Sequence, residues 1–247
     1  MLKKNNKISV ALITGGARRV GASIAKALHE ADFNVVIHYK NSKQDAAKLK
    51  AALNKLRSHS AEILQADLDH PDCYKSLITH TYKIWGRLDA LINNASAFKS
   101  TKIGKTDLKA WDLLLNSNLK APYFLSQAAS GYLKKSRGNI VNITDIHAKN
   151  PMKNYPVYSI AKAGLSMLTK SLALELAPYI RVNAVAPGSV IWPEGENTYS
   201  KAYKQEILSA TLLKKQVKPE NIAQAVLFLI RNAAMTGQTI TVDGGKK

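Results

Sequence analysis

Short apolar runs alternate with longer amphipathic stretches along most of this chain. The short runs have the length and composition of buried β-strands, whereas the longer stretches carry apolar residues at helical spacing. In the second helical stretch, for example, Leu49, Leu53 and Leu56 fall on one apolar stripe. The pattern predicts strands at 8–14, 34–38, 61–66, 88–93, 139–144, 180–185 and 239–242, and helices at 20–31, 42–57, 72–85, 109–134, 156–176 and 219–231.

The strict alternation of strands and helices predicts a parallel sheet with helices on both faces. No linker, repeat or low-complexity segment interrupts the sequence. We therefore expect a single α/β domain over residues 1–247, a doubly wound Rossmann fold with seven strands. Two segments, 96–106 and 188–215, depart from the alternation and follow strands. Because ligands bind at the carboxyl ends of such strands, we expect both segments to wall a substrate pocket, with 188–215 (including Pro193 and Gly195) as a mobile lid.

Composition narrows the classes of function. With 46% hydrophobic residues the chain can build a full core, and no apolar run approaches the eighteen or so residues of a membrane span. A single cysteine, Cys73, excludes an internal disulfide framework. The basic N-terminal residues lead into a β-like run without a signal-type cleavage site, so we expect a cytoplasmic protein with no membrane partner.

The net charge of +19 reflects 36 Lys and Arg residues against 17 Asp and Glu residues. Its simplest interpretation is a lysine-rich solvated surface that also attracts an anionic cofactor. Such a surface would also attract an acidic carrier protein or a nucleic acid. No nucleic-acid motif accompanies the charge and aromatic residues are only 7%, so we expect no nucleic-acid partner. No metal site is predicted.

A glycine-containing turn at 14–21 lies between the first predicted strand and the first helix. In this context glycines let a phosphate approach the backbone N–H groups at a helix N-terminus. The usual spacing would place a glycine where this chain has Arg19, and a guanidinium there would lie beside a pyrophosphate. We expect at least one of the two arginines to bind ligand. The predicted cofactor contacts at this turn are Gly15, Arg18, Arg19, Val20 and Gly21.

The end of the second strand indicates which dinucleotide is used. An enzyme selecting NAD places an acid near this point, but none appears before Asp45. Lys40, together with His38, Asn41 and Ser42, would instead suit a 2′-phosphate, so NADP(H) is predicted over NAD(H). Asp67 and Leu68 follow the third strand and are placed to meet the adenine. The other predicted contacts in this segment are His38, Tyr39, Asn41 and Ser42, although Ser42 is also a good helix N-cap.

Tyr158 and Lys162 are four residues apart on a predicted helix and therefore share one face. An ammonium about 4 Å from a phenol, at an effective dielectric of about 20, favours phenolate by about 4 kcal/mol before desolvation opposes it. We therefore expect a phenol that exchanges protons near neutral pH. Asp145 lies thirteen residues before the tyrosine, at the end of a predicted strand.

With the glycine turn, Asn93-Asn94-Ala95, Asn118, the Tyr158/Lys162 pair, 187–188 and 242–245, the chain resembles the short-chain dehydrogenase/reductases along essentially its whole length. The resemblance implies hydride transfer with Tyr158 as acid, Lys162 on the nicotinamide ribose and Asn118 holding a proton-relay water. It also implies a homotetramer that uses the faces of the long helix and of the Tyr158 helix. Further cofactor contacts implied by it are Asn94, Ala95, Ser96, Thr144, Pro187, Gly188 and Ser189.

Asp145 is the main departure from that family, because most members carry a serine there that donates to a substrate carbonyl. An ionised carboxylate cannot donate, and Thr144 lies on the opposite face of the strand. A nitrogen heterocycle, in contrast, offers N–H groups to a carboxylate, and a protonated aspartate could protonate an imine nitrogen. The residues leave open whether Asp145 donates a proton or only binds.

Asp145, Arg19 and the 94–98 segment together resemble the pteridine reductase branch, as does the 38–42 segment. In that branch the residue matching Phe98 stacks the pterin against the nicotinamide, and Arg19 and Ser96 would hold polar edges of the pterin or cofactor phosphate. The 187–194 segment, with Trp192, is similar to bacterial members. The resemblance implies NADPH-dependent reduction of dihydropterins, with oxidised pterins and dihydrofolate as further candidates. The predicted substrate contacts are Arg19, Ser96, Phe98, Asp145, Tyr158 and Trp192.

Two other functions remain open at this level. A 3-oxoacyl carrier-protein reductase would share the fold, Asn118, Tyr158 and Lys162, and its acidic carrier would suit the +19 surface. Asp145 and Arg19 argue against it. A non-catalytic NADPH-binding sensor on the same fold would not need the complete catalytic set, which this chain retains.

Overall fold

The computed structural model describes residues 8–192 and 198–246, which fold around one seven-stranded parallel sheet. The strand order is β3-β2-β1-β4-β5-β6-β7, so the chain reverses direction across the sheet between β1 and β4. A crevice opens at such a switch point, beyond the carboxyl ends of the strands. The strands are β1 Val10–Ile13, β2 Asn34–Tyr39, β3 Ala61–Gln65, β4 Ala90–Asn93, β5 Asn139–Ile143, β6 Arg181–Pro187 and β7 Thr239–Val242.

Helices cover both faces of the sheet, and each face has its own apolar core. Ile24 of α1, Leu49 of α2 and Val226 of α8 pack on one face. Leu77 of α3 and Leu125 of α5 pack on the other, together with the end of α6. The helices are α1 Arg19–Glu30, α2 Lys43–Leu56, α3 Cys73–Trp85, α4 Leu108–Leu115, α5 Ala121–Ser136, α6 Pro156–Leu176, α7 Lys201–Ser209 and α8 Pro219–Arg231. The predicted seven-stranded α/β fold is therefore confirmed, and no helix in the described ranges has the length and apolarity to cross a membrane.

The helix predicted over 109–134 is interrupted in its first half. It begins as α4, passes through a π-helical turn at Asn116–Lys120 and continues as α5. Pro122 has no N–H to donate to the carbonyl of residue 118, so the regular hydrogen-bond ladder cannot run through this point. Instead the Ala121 N–H donates to the Asn116 carbonyl, one residue further back than in an α-helix. The turn leaves Asn118 fully buried.

The predicted lid segment 188–215 contains a helix that the sequence pattern did not indicate. Ser200 caps α7, accepting the Tyr203 N–H on its hydroxyl at 3.2 Å. Pro193 and Gly195, on which the lid prediction depended, lie outside the described residues, as does the rest of 193–197.

Candidate active site

A cavity of about 720 Å³ lies at the carboxyl ends of the central strands. It is large enough for a dinucleotide with part of a substrate. Most of the residues predicted from sequence line it, whereas Tyr39, Asn41, Ser42 and Asn118 do not. The predicted residues that do are Gly15, Arg18, Arg19, Val20, Gly21, His38, Lys40, Asp67, Leu68, Asn94, Ala95, Ser96, Phe98, Thr144, Asp145, Tyr158, Lys162, Pro187, Gly188, Ser189 and Trp192.

The glycine turn forms a close backbone cradle at one end of the cavity. Gly15 has a φ of +60°, in the left-handed region that glycine adopts without strain. A Cβ at Gly21 would lie 2.7 Å from Asn94 Nδ2, so only glycine fits there. Asn94 Nδ2 itself donates to the Thr14 carbonyl at 2.8 Å and the Gly15 carbonyl at 3.1 Å, which ties β4 to the turn. This geometry fits the phosphates of a nicotinamide dinucleotide.

Arg19 has the left-handed backbone of the glycine it replaces, with a φ of 54°. Its Nη2 donates to the carbonyls of Ile191 and Trp192 at 3.2 and 3.1 Å. The Arg19 side chain therefore links the glycine turn to the wall segment 188–215, a contact that the sequence did not suggest. Its neighbour Arg18 lies 3.6 Å from Asp45.

The predicted contact between His38 and a 2′-phosphate needs correction. The Gly15 N–H donates to His38 Nδ1 at 3.1 Å, so the proton is on Nε2, which lies 3.1 Å from the Ala66 carbonyl. Both ring nitrogens are thus engaged, and burial lowers the pKa of His38 to about 4. A neutral His38 shapes the glycine turn instead of binding an anion. Tyr39 is packed into the core next to it.

Lys40 lines the cavity just after β2, and it already has two anionic neighbours. Its Nζ lies 2.9 Å from Asp67 Oδ1 and 2.7 Å from Asp69 Oδ2. The hydrogen bonds to Asp67 and Asp69 raise the pKa of Lys40. Sequence reasoning missed Asp69, although its position two residues after Asp67 at the end of β3 is visible in the sequence.

Asp145 and Tyr158 are in direct contact at the other end of the cavity. Tyr158 Oη donates to Asp145 Oδ2 at 2.7 Å. Asp145 Oδ1 accepts the His147 N–H at 2.9 Å and so caps the short 3₁₀ turn Ile146–Ala148 that follows β5. Thr144, the residue before it, donates its hydroxyl to the Val185 carbonyl at 3.0 Å. The carboxylate is therefore fixed on both oxygens and faces the phenol.

The electrostatics of this pair correct one expectation from sequence. Burial, together with the charge of Asp145 and the hydrogen bond to it, raises the pKa of Tyr158 well above its usual value of 10. Lys162 Nζ donates to the Ile143 carbonyl at 2.9 Å and lies 5.7 Å from the centre of the tyrosine ring. Because burial and the adjacent carboxylate both oppose ionisation of the phenol, Tyr158 is held protonated and does not titrate near neutrality.

The side chain of Asn118 forms hydrogen bonds within the protein and does not line the cavity. Its Nδ2 donates to the carbonyls of Ala97 and Leu114, both at 2.9 Å, and its Oδ1 accepts the Ser96 hydroxyl at 2.6 Å. The water-holding role implied by the resemblance stays a prediction. The amide has both Nδ2 hydrogens and one lone pair of Oδ1 engaged within the protein. It holds the 96–97 segment against the helix.

Aromatic side chains wall the substrate end. Tyr155 stacks on Phe98 with 4.6 Å between ring centroids, and Tyr158 meets Phe98 edge-on at 4.9 Å. Tyr199 lies between Trp192 and Tyr203, with centroid distances of 6.3 and 4.9 Å. Sequence reasoning selected Phe98 and Trp192 and missed the three tyrosines Tyr155, Tyr199 and Tyr203. Two of them lie in the wall segment 188–215 and the third directly precedes α6, and this location was the available signal.

Comparisons with known proteins are in keeping with this geometry. Residues 15–247 match the family model described as enoyl-(acyl carrier protein) reductase. Pteridine reductase 1 of Leishmania tarentolae is 35% identical over an alignment of 279 positions that covers 96% of this chain and 95% of that protein. A 3-oxoacyl-(acyl-carrier-protein) reductase of Staphylococcus epidermidis is 34% identical, with 95% and 97% covered. Glucose 1-dehydrogenase 2 of Bacillus subtilis is 30% identical, with 95% and 93% covered. These relatives span nearly the whole chain, and their names differ in substrate.

Proposed function

The chain belongs to the short-chain dehydrogenase/reductase family, and we propose that within this family of oxidoreductases it reduces the ring of a pterin with NADPH. The observation that supports this substrate most strongly is the contact between Tyr158 Oη and Asp145 Oδ2 at 2.7 Å. It gives the reacting end of the cavity a carboxylate acceptor beside a protonated phenol. A pterin presents ring N–H and amino donors to the first and an acceptor nitrogen to the second.

When bound, NADPH supplies the hydride. The protein's own residues position the cofactor and the pterin and protonate the pterin ring. The Gly15–Gly21 cradle holds the phosphates, and Lys162 holds the ribose. Phe98 provides a flat apolar wall against which a planar ring lies parallel to the nicotinamide, so that much of the rate comes from fixed distance and angle.

Tyr158 and Asp145 offer two routes for the proton. In one, Tyr158 Oη gives its proton to the ring nitrogen that gains electron density, and the nearby ammonium of Lys162 stabilises the phenolate. In the other, which applies to dihydropterins, water supplies the proton and Asp145 only orients the ring through its N–H groups. In both routes the carboxylate selects a donor-rich heterocycle over a carbonyl compound, whose oxygen it would repel.

Preference for NADPH over NADH is part of this proposal. Lys40 supports it as the cation at the adenosine end, and the nearest acids on that side, Asp67 and Asp69, are both engaged with it. Direct titration with NADPH and NADH tests it, and equal affinity for the two would contradict the proposal.

The decisive experiment follows NADPH oxidation with dihydrobiopterin, dihydromonapterin, dihydrofolate and an acetoacetyl thioester. We expect turnover of the dihydropterins and little or none of the thioester. Asp145→Ser should lower kcat/KM for the dihydropterins by at least about 100-fold, because it removes the acceptor that orients the ring. Asp112→Ser, on the exposed side of α4, is the matched control. Turnover of only the thioester, or full pterin activity in Asp145→Ser, would refute the assignment.

A 3-oxoacyl carrier-protein reductase is the second candidate, since a relative of that name is 34% identical and the +19 charge suits an acidic carrier. The same substrate panel separates the two functions. Tight NADPH binding without turnover of any pterin or carbonyl compound would instead favour a sensor.

We further propose a cytoplasmic homotetramer. Helices α4 and α5 expose Leu108, Trp111, Tyr123 and Phe124, and α6 exposes Met167, among other apolar residues. Exposed apolar patches of this kind mark interfaces between protein chains. Light scattering coupled to gel filtration measures the mass directly, and a monomeric mass at micromolar concentration would contradict the proposal.

A further inference from the structure

Five exposed lysines, here called the rim lysines, lie on the two loops that follow β4 and β5. Three follow cavity-lining residues closely in sequence: Lys99 comes directly after Phe98, Lys153 directly after Met152, and Lys149 two residues after His147. Their backbone therefore lies at the edge of the cavity. The rim lysines are Lys99, Lys102, Lys105, Lys149 and Lys153.

The two loops that bear the rim lysines are tied to each other. The Asn154 carbonyl accepts the Thr101 N–H at 2.8 Å and the Ser100 hydroxyl at 3.0 Å. Thr101 is buried, and its hydroxyl accepts the Val157 N–H from the start of α6 at 3.3 Å. The Lys105 N–H closes a turn onto the Lys102 carbonyl at 3.0 Å. These bonds hold the two loops together as one continuous edge, and they bring the backbone of Lys153 close to that of Lys102.

Among the described residues, no carboxylate is paired with the lysines of this edge. The two loops contain the carboxylates of Asp107 and Asp145 only. Asp107 accepts the Ala110 N–H at 2.7 Å as the cap of α4, and Asp145 accepts from Tyr158 inside the cavity. Lys40 and Lys50, in contrast, are paired with carboxylates.

The cavity therefore has opposite charges at its two depths, a carboxylate inside and cations at its edge. We propose that the rim lysines bind an anionic tail of the substrate, a flexible chain bearing several carboxylates, while the donor-rich head lies against Asp145. This inference rests on the proposed pterin reduction and narrows it to tailed pterins of the oligoglutamyl folate kind. Lysine is suited to such a tail, because its mobile point charge does not demand one fixed geometry.

The stacked pair of Phe98 and Tyr155 favours a small tailed molecule over an acidic protein partner. Phe98 directly precedes Lys99 and meets Tyr158, the partner of Asp145, edge-on at 4.9 Å, so the aromatic pair adjoins both a rim lysine and the carboxylate's partner. An aromatic linker between a pterin head and a carboxylate tail would find a flat apolar surface at this depth. A carrier protein would bring to that depth only the thin arm that links it to its cargo.

The test compares substrates that differ only in the tail. We expect kcat/KM with saturating NADPH to be higher for dihydrofolate bearing four γ-linked glutamates than for dihydrofolate bearing one. In the triple variant Lys99→Gln/Lys149→Gln/Lys153→Gln the ratio of these two values should fall about tenfold, since each exposed charge contact contributes only modestly. The ratio should also fall with added salt. The control is a triple variant that changes three exposed lysines remote from the cavity to Gln: Lys48, Lys55 and Lys75.

A binding measurement keeps this test separate from the test of catalysis. Fluorescence anisotropy of labelled folate with one and with four glutamates needs no turnover. If no pterin is reduced, the proposed function fails, yet a tail preference that the rim substitutions abolish would still support the anionic-tail site. Equal affinity for both tail lengths in the unaltered protein would overturn it. The proposal would also be overturned if the rim substitutions lowered activity only toward an acetoacetyl group carried by an acidic carrier protein. That result would identify a protein partner.

Discussion

Removal of the buried ammonium of Lys162 should change how the stability of the protein depends on pH. Burial lowers the pKa of Lys162 from 10.5 to about 8, and the charge of Asp145 only partly offsets this effect. The difference between the two values corresponds to about 3 kcal/mol of free energy of unfolding. This is the cost of keeping a cation in the core.

The sign follows from proton binding in the two states. Below pH 8 Lys162 is protonated in both the folded and the unfolded chain, so the whole cost is present. Between about pH 8 and 10.5 the unfolded chain still binds the proton and the folded chain does not, so stability rises with pH. Above 10.5 the cost is gone. Lys162→Met has no such group, and its stability should lack this contribution.

Denaturant unfolding of the cofactor-free protein at pH values from 7 to 10.5 measures the effect. The free energy of unfolding of the unaltered protein, relative to Lys162→Met, should increase by about 3 kcal/mol across this range. Taking the difference cancels the titration of other groups, and the lost bond to the Ile143 carbonyl adds an offset that does not change with pH. Lys170→Met, at an exposed position of the same helix, is the control. A difference that stays constant with pH would refute the reasoning.

Two further substitutions test the cofactor end of the site. Asp69→Asn leaves Lys40 with one carboxylate partner instead of two, so calorimetry should find that 2′,5′-ADP binds about three to ten times more tightly while NADH affinity stays unchanged. Weaker binding would mean that Asp69 positions the lysine for the phosphate. Arg19→Gly relieves a left-handed backbone at about 1 kcal/mol but removes both carbonyl contacts, to Ile191 and Trp192. Its melting temperature should change little while KM for the dihydropterin rises about tenfold, and an unchanged KM would show that the link to the substrate segment has no role in binding.

The fold was predictable because burial on both faces makes every strand an apolar run, which the sequence displays directly. The two errors have local causes. Pro122 lies near the start of a good helical pattern, and its missing N–H acts on the carbonyl of residue 118, so the π-turn is visible only when the ladder is followed bond by bond. Helix α7 buries only Ile207, so its apolar periodicity is too weak to distinguish it from a polar loop.

The site was predictable where chemistry depends on local spacing and not where it depends on contacts across the sheet. Tyr158 and Lys162 share a helix, so their proximity follows from the sequence. The role of His38 was misjudged because its partner, the Gly15 N–H, lies in the turn that follows β1. Only the pairing of β1 with β2 brings the two groups together. The effect of Asp145 on the phenol has the same origin, since β5 and α6 must dock before the carboxylate reaches it.

The arrangement of charges at the reacting end is poor for stability. Asp145 and Lys162 are both close to Tyr158, yet they do not pair with each other. Burial and the carboxylate raise the pKa of the phenol, and burial destabilises the ammonium. A purely structural cluster would join the two charges or replace them with apolar groups. Keeping them apart leaves the carboxylate available to accept N–H groups of a ligand and the ammonium available to hold a hydroxyl. This separation of charges lowers the stability of the protein. An active site needs it, whereas a sensor that only binds NADPH does not, which favours catalysis as the reason for retaining all three side chains.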